Sequence, residues 1–192
     1  MSPQTFRTIT RDGRKAASTA RFRGRASTVL RHEMTVVASS VADVVASTGG
    51  WLYDRRMAGW RVNVLVDDRA GERALRILGA VAFDLSGDLE AISDDPDRAA
   101  TLAVAADVYA ADRRVRRFVS TSDPTRAEVA LWGETATLVR SVSPVTYRLS
   151  AAARAFKAQA LVAAGVSAEP VKATEALYRR GVTALASVAA RP

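Results

Sequence analysis

The sequence predicts an α/β fold: one domain built on a small Rossmann-like, mainly parallel sheet of about four strands flanked by helices. Two short β-branched runs, residues 34–38 (MTVVA) and 61–66 (RVNVLV), bracket a longer helical stretch. Serines open that stretch and a glycine closes it, as helix ends require. The turns between these segments are short, which favours a right-handed crossover between parallel strands.

Each element follows from local chemistry. Residues 34–38 form a buried first strand, because a strand covered on both faces reads as a continuous apolar run. Ser39 or Ser40 then caps a helix over residues 41–58, a serine oxygen accepting from the free amides of the first turn. Gly59 ends it. Gly49 and Gly50 lie inside this helix, each costing about 1 kcal/mol relative to alanine. They mark either a break or a close approach of the helix to the sheet. Residues 61–66 form the second strand, closed by Asp67 and Asp68, and residues 71–78 form a second helix capped by Gly79. Residues 80–85 (AVAFDL) make the third strand and complete a βαβαβ core at 34–85.

Beyond residue 86 the pattern loosens. Residues 84–97 hold six acids and no base. The pair Asp95-Pro96 suits a helix start, and Val104, Val108, Ala111, Val115 and Val119 recur at helical spacing to about residue 119. Residues 128–132 (EVALW) read as a fourth strand. From Glu134 the chain is alanine-rich and is expected to be helical, with interruptions at Pro144 and around residues 165–170. Leu149, Ala152, Phe156, Ala160 and Ala163 give one stripe, and Ala173, Leu177, Ala184 and Val188 another.

Composition narrows the chemistry. The chain has 192 residues and no cysteine, which removes disulfides, thiol nucleophiles and thiolate metal sites. Arginine outnumbers lysine 25 to 3, the codon bias of a GC-rich bacterial genome. The net charge of +8 is concentrated at one end. Residues 1–32 carry Arg7, Arg11, Arg14, Lys15, Arg21, Arg23, Arg25 and Arg31 against the single Asp12, whereas the rest holds 20 bases and 19 acids. This polar, arginine-rich segment is expected to be an arm, with a short helix near residues 26–31, and residues 33–192 the domain. The most apolar stretch, residues 99–111, is too short to cross a bilayer. A cytoplasmic protein with no membrane partner is expected.

The arm carries the leading functional expectation: a non-enzymatic, nucleic-acid-associated or regulatory protein. Its eight basic side chains would neutralise phosphates and release counterions, giving salt-dependent, non-specific binding. Arg113, Arg114, Arg116 and Arg117 would extend that surface. Docking on the acidic 84–97 segment, a targeting role, or a true start at Met34 would each explain the arm without nucleic acid.

The alternative is a small-molecule-binding or enzymatic domain, taking a nucleotide or phosphorylated metabolite. Ligands in open parallel sheets sit beyond the carboxyl ends of the strands, which here present Ser39, Ser40, Asp67 and Asp68. A phosphate could rest on the free amides at the helix start. However, neither the dinucleotide glycine fingerprint nor a P-loop occurs, so no cofactor is expected. His32, the single histidine, stands at the edge of the arm, which disfavours a catalytic triad or a histidine metal site. Any catalysis would use carboxylates and hydroxyls, so the sequence leans against an enzyme. VLVDD resembles the acidic pair of phosphorylation receiver domains, but the region that should supply the phospho-accepting strand, around Asp107 and Asp112, is helical by pattern. A third reading is an interaction module that forms homo-oligomers through exposed helical stripes.

Overall fold

The computed structural model describes residues 32–93, 101–122, 127–134, 142–167 and 170–180. All of them lie in one unit, Arg31–Pro192. The arm's basic residues from Arg7 to Arg31, the acidic positions 94–97, and Ala184 and Val188 fall outside the described residues.

The first half follows the expected order. Strand β1 spans Glu33–Ser40, helix α1 Val41–Met57, β2 Arg61–Asp68, α2 Glu72–Ile77 and β3 Val81–Asp84. Five consecutive residues are buried in β1 and five in β2, as their apolar runs require. Ser40 is extended (φ −146°, ψ 156°) and its Oγ accepts from the Asp43 amide at 3.3 Å, so it caps α1. Ser40→Ala should therefore cost about 1 kcal/mol in urea denaturation. No loss would mean that the first-turn amides find other partners. At the other end Gly59 (φ +88°) donates to the Arg56 carbonyl, and Trp60 donates to that of Arg55. This is the left-handed stop that only glycine reaches without strain.

Helix α3 spans Leu85–Ser93, in the acidic segment that reads as a polar loop or short helix. The structure then departs from the sequence expectation: Thr101–Ala105, expected within a long helix, is strand β4. All five of its residues are buried, and burial on both faces removes the alternation that separates strand from helix. The remainder of the expected helix is two short ones, α4 (Ala106–Ala111) and α5 (Arg113–Thr121). Asp112 divides them in an extended conformation (φ −99°, ψ 117°) and caps α5 through the Arg114 amide. Strand β5 lies at Glu128–Trp132 as expected.

The alanine-rich end is not purely helical. Strand β6 spans Val142–Arg148, helix α6 Ala151–Ala163 and strand β7 Thr174–Arg180. In β7, Glu175 and Leu177 are buried while Thr174 and Ala176 are exposed, a period of two rather than the helical spacing drawn through Ala173 and Leu177. Pro144 is tolerated because β6 is an edge strand.

The sheet is thus larger than the expected four strands. Among the described residues seven strands run in the order β3-β2-β1-β4-β5-β7-β6. The first five are parallel, and β7 is antiparallel to both β5 and β6. The order 3-2-1-4-5 also separates the chain from receiver domains, whose order is 2-1-3-4-5. Helices α1, α2 and α6 pack on one another as one layer. Handedness places α3 to α5 on the opposite face, because the strand order reverses at β1.

The apolar stripes serve this core. Val104, Val108, Val115, Val119, Leu149 and Ala160 are all buried, and half-exposed Phe156 stacks on Tyr53 at 4.5 Å. Ala111, Ala152 and Phe156 of the same stripes are exposed, so the stripes are only partly buried. Among the described residues, no helix is long and apolar enough to cross a membrane.

Candidate small-molecule site

The reversal of strand order between β1 and β4 opens a crevice at the carboxyl ends of the strands, the usual ligand position in this architecture. A pocket of about 270 Å³ lies there, lined by Asp43, Asp107, Trp132, Gly133 and Glu134. Each residue is delivered by a strand end or the helix after it. Asp43 sits in the first turn of α1, where the helix dipole favours a carboxylate. Asp107 is in the first turn of α4, and Trp132 is the last residue of β5. Gly133 (φ +97°) turns the chain directly after the tryptophan.

Asp43 is the best-fixed of these groups. Its Oδ2 accepts from Trp132 Nε1 at 3.0 Å and its Oδ1 from Ser47 Oγ at 2.9 Å. The Trp132 ring is only 1% exposed, so this bond ties the pocket to the core. Asp107 and Glu134 are exposed on the rim. Three carboxylates repel phosphate but accept hydrogen bonds from hydroxyl and ammonium groups.

The residues chosen from the sequence fall beside this pocket. Ser40 and Asp68 are partners in the β1–β2 register, so the fold brings them together. Ser40 is engaged as a helix cap, and Asp68 Oδ1 accepts from the Ala70 amide at 2.8 Å. Half-buried Ser39 and exposed Asp67 do not line the pocket. Sequence reasoning missed Asp43 and Trp132. One signal was present: an acid three residues after a capping serine resembles a capping box, which marks the carboxylate as structurally engaged.

A larger hollow, about 420 Å³, lies at the amino ends of the strands and is lined by residues including His32, Arg56, Trp60 and Arg61. It is at the wrong end of the sheet for a switch-point ligand. His32 stacks on Trp60 at 4.9 Å, so the single histidine is remote from Asp43 in the architecture.

No family model matches the chain, and no curated protein does. Solved structures do resemble it. Teicoplanin deacetylase in complex with teicoplanin is 13% identical, with a TM-score of 0.51 over 77% of this chain and 97% of that one. Deacetylase Dbv21, which acts on the A40926 pseudoaglycone, is 16% identical, with a TM-score of 0.45 over 69% and 81%. The zinc-inhibited form of teicoplanin deacetylase is 13% identical, with a TM-score of 0.46 over 69% and 83%. At these identities the likeness is one of fold.

The comparison nevertheless corrects the leading sequence expectation. The protein that shares this architecture at the higher TM-score is described as a deacetylase, not as a non-enzymatic nucleic-acid binder. The nucleic-acid partner and the phosphate-contact role of the arm go with that expectation, and the small-molecule or enzymatic alternative is the one favoured. The arm lies outside the described residues, and the strand-end pocket that the fold does present is lined by carboxylates, which suit hydroxyl or ammonium groups rather than phosphate.

Zinc would need three or four thiolate, imidazole or carboxylate donors converging on one point. This chain has no cysteine, and among the described residues no group of three or more His, Asp or Glu side chains could hold a metal. The donor set of the described residues does not fit zinc.

Proposed function

We propose that this chain binds a hydroxyl-rich or amino-bearing small molecule, of the carbohydrate-derivative class, at the carboxyl end of its sheet. The observation that carries the reading is the Asp43 carboxylate, held by Trp132 and Ser47 at the mouth of a switch-point pocket. Its likeness in fold to a deacetylase seen with its small-molecule ligand supports the same class. With both oxygens already engaged, Asp43 orients a ligand rather than shuttling protons. Asp107 and Glu134 on the rim would accept from the ligand's outer hydroxyl or ammonium groups. Hydrolysis of an N-acetyl group is the activity this fold likeness makes worth assaying.

Calorimetric titration of the full chain with glucosamine, N-acetylglucosamine and ATP tests this. Binding of a sugar is expected, with no binding of ATP. Asp43→Asn should weaken the sugar at least tenfold, since a hydrogen bond to a charged group contributes about 1.5–3 kcal/mol. Asp67→Ala should leave affinity unchanged. ATP binding that depends on Asp67 would overturn the proposal, and acetate release from N-acetylglucosamine would extend it to catalysis.

A further inference from the structure

The glycine pair inside α1 has an unusual environment. The helix continues through it, so the expected break is absent, and the close approach is to side chains rather than to the sheet. A Cβ on Gly50 would lie 2.5 Å from a Leu149 methyl, and one on Gly49 would lie 3.6 Å from Lys157 Cγ. The backbone here is bare so that other elements can reach it.

What reaches it is a buried ion pair. Glu175, from β7, accepts from the Gly50 amide through Oε1 and from the Trp51 amide through Oε2, both at 2.9 Å. Lys157, from α6, donates to Glu175 Oε1 at 2.6 Å and also to the Ala46 carbonyl at 2.6 Å. Their side chains are 7% and 3% exposed. In a regular helix the Ala46 carbonyl is the acceptor for the Gly50 amide. Here an ammonium has been set on that carbonyl and a carboxylate on that amide. Charged side chains bonded to helix backbone at both a carbonyl and two amides tie that turn to α6 and β7.

We infer that Lys157 and Glu175 are positioning residues that set the first two turns of α1, and with them Asp43, over the pocket. The functional meaning of this inference rests on the pocket proposed above. The lever is short. Ala46 is one turn beyond Asp43, and its neighbour Ser47 is the residue bonded to Asp43 Oδ1. The segment between is held at its start by the Ser40 cap and at its end by Lys157. A slide or rotation of that turn would pull Asp43 away from Trp132, which belongs to a different layer of the fold. Most buried ion pairs give little net stability against an apolar pair of similar volume. A pair placed on helix backbone beside a pocket therefore fits a geometric role.

The test needs no ligand. The chain has three tryptophans, Trp51, Trp60 and Trp132, so ¹⁵N-labelled full-length protein gives three indole N–H signals, and Trp132→Phe assigns the one bonded to Asp43. Glu175→Gln is expected to move the Gly50 and Trp51 amides and the Trp132 indole by more than their linewidths. The Trp60 indole, at the amino end of the sheet, should stay in place. The neutral double variant Lys157→Met with Glu175→Gln, which avoids a stranded charge, should move Trp132 in the same way. If the Gly50 and Trp51 amides shift in a folded variant while Trp132 stays, the inference fails. It also fails if Trp60 moves together with Trp132, because that reports general loosening. Since sugar binding is not part of the readout, failure of the proposed function would leave this result standing, and the converse holds.

Discussion

Replacing Glu175 with alanine is expected to cost about 3–5 kcal/mol of stability, the usual penalty for removing one partner of a buried ion pair. The amides of Gly50 and Trp51 lose the Glu175 acceptor, and the Lys157 ammonium loses its counter-charge and keeps only the Ala46 carbonyl. The ammonium dominates, since a charge with 7% of its side chain exposed has little access to water. The Lys157→Met, Glu175→Gln double variant should lose far less, because nothing charged is left behind. Urea denaturation of both variants separates the two cases, and a Glu175→Ala loss below 1 kcal/mol would contradict the argument. The pH dependence has a definite sign. Burial pushes the Glu175 carboxyl above its ordinary value, with the Lys157 ammonium pulling it partly back. The native state then holds that proton more tightly than the unfolded chain. This titration adds stability below the ordinary glutamate pKa of about 4.3 and loses it as pH rises through the raised native value. Relative to Glu175→Gln, which cannot titrate, the wild type should therefore become less stable across that window. Burial raises the nearby Tyr147 phenol, with the Asp54 and Glu175 carboxylates adding to the rise.

The same pair shows where sequence reasoning ends. Strands β1 to β3 and the helices between them were legible because every signal was local: Ser40 caps α1, Gly59 stops it, and Val62, Val64 and Val66 are buried in β2. The right-handed crossovers were expected too, whereas the order 3-2-1 is read from the structure, since 2-1-3 has the same hand. Strand β4 was hidden because Thr101–Ala105 is covered on both faces, so its apolar run matches a helix equally well. The hairpin-like pair β6 and β7 was hidden for another reason. Alanine-rich sequence favours helix by intrinsic propensity, and the contacts that override it are distant ones. Glu175 has meaning only once α1 supplies two amides and α6 supplies Lys157. The site divides in the same way. That it would lie at the strand ends was legible from topology. That Asp43 rather than Asp67 would face the pocket was not, because its partner Trp132 lies 89 residues away.

Trp132→Ala should be the second severe substitution, losing about 3–5 kcal/mol, as truncation of a buried aromatic ring does. The ring is 1% exposed, at the end of β5, so alanine would leave a void between the sheet and the start of α1. A second loss is polar: Asp43 Oδ2 gives up its indole donor and keeps only the Ser47 hydroxyl on its other oxygen. Trp132→Phe separates the two contributions. It retains most of the apolar volume and removes the N–H, so it should lose about 1.5–3 kcal/mol, the range for a hydrogen bond to a charged group. Urea denaturation measures both variants, and sugar affinity measured on the still-folded Trp132→Phe protein shows whether the bond also shapes the pocket. A stability loss in Trp132→Phe equal to that in Trp132→Ala would mean that the polar tie, not the packed ring, holds β5 to α1. A negligible loss would mean that Asp43 is held by Ser47 and the helix dipole alone, and the pocket's orientation would then have to come from α1 itself.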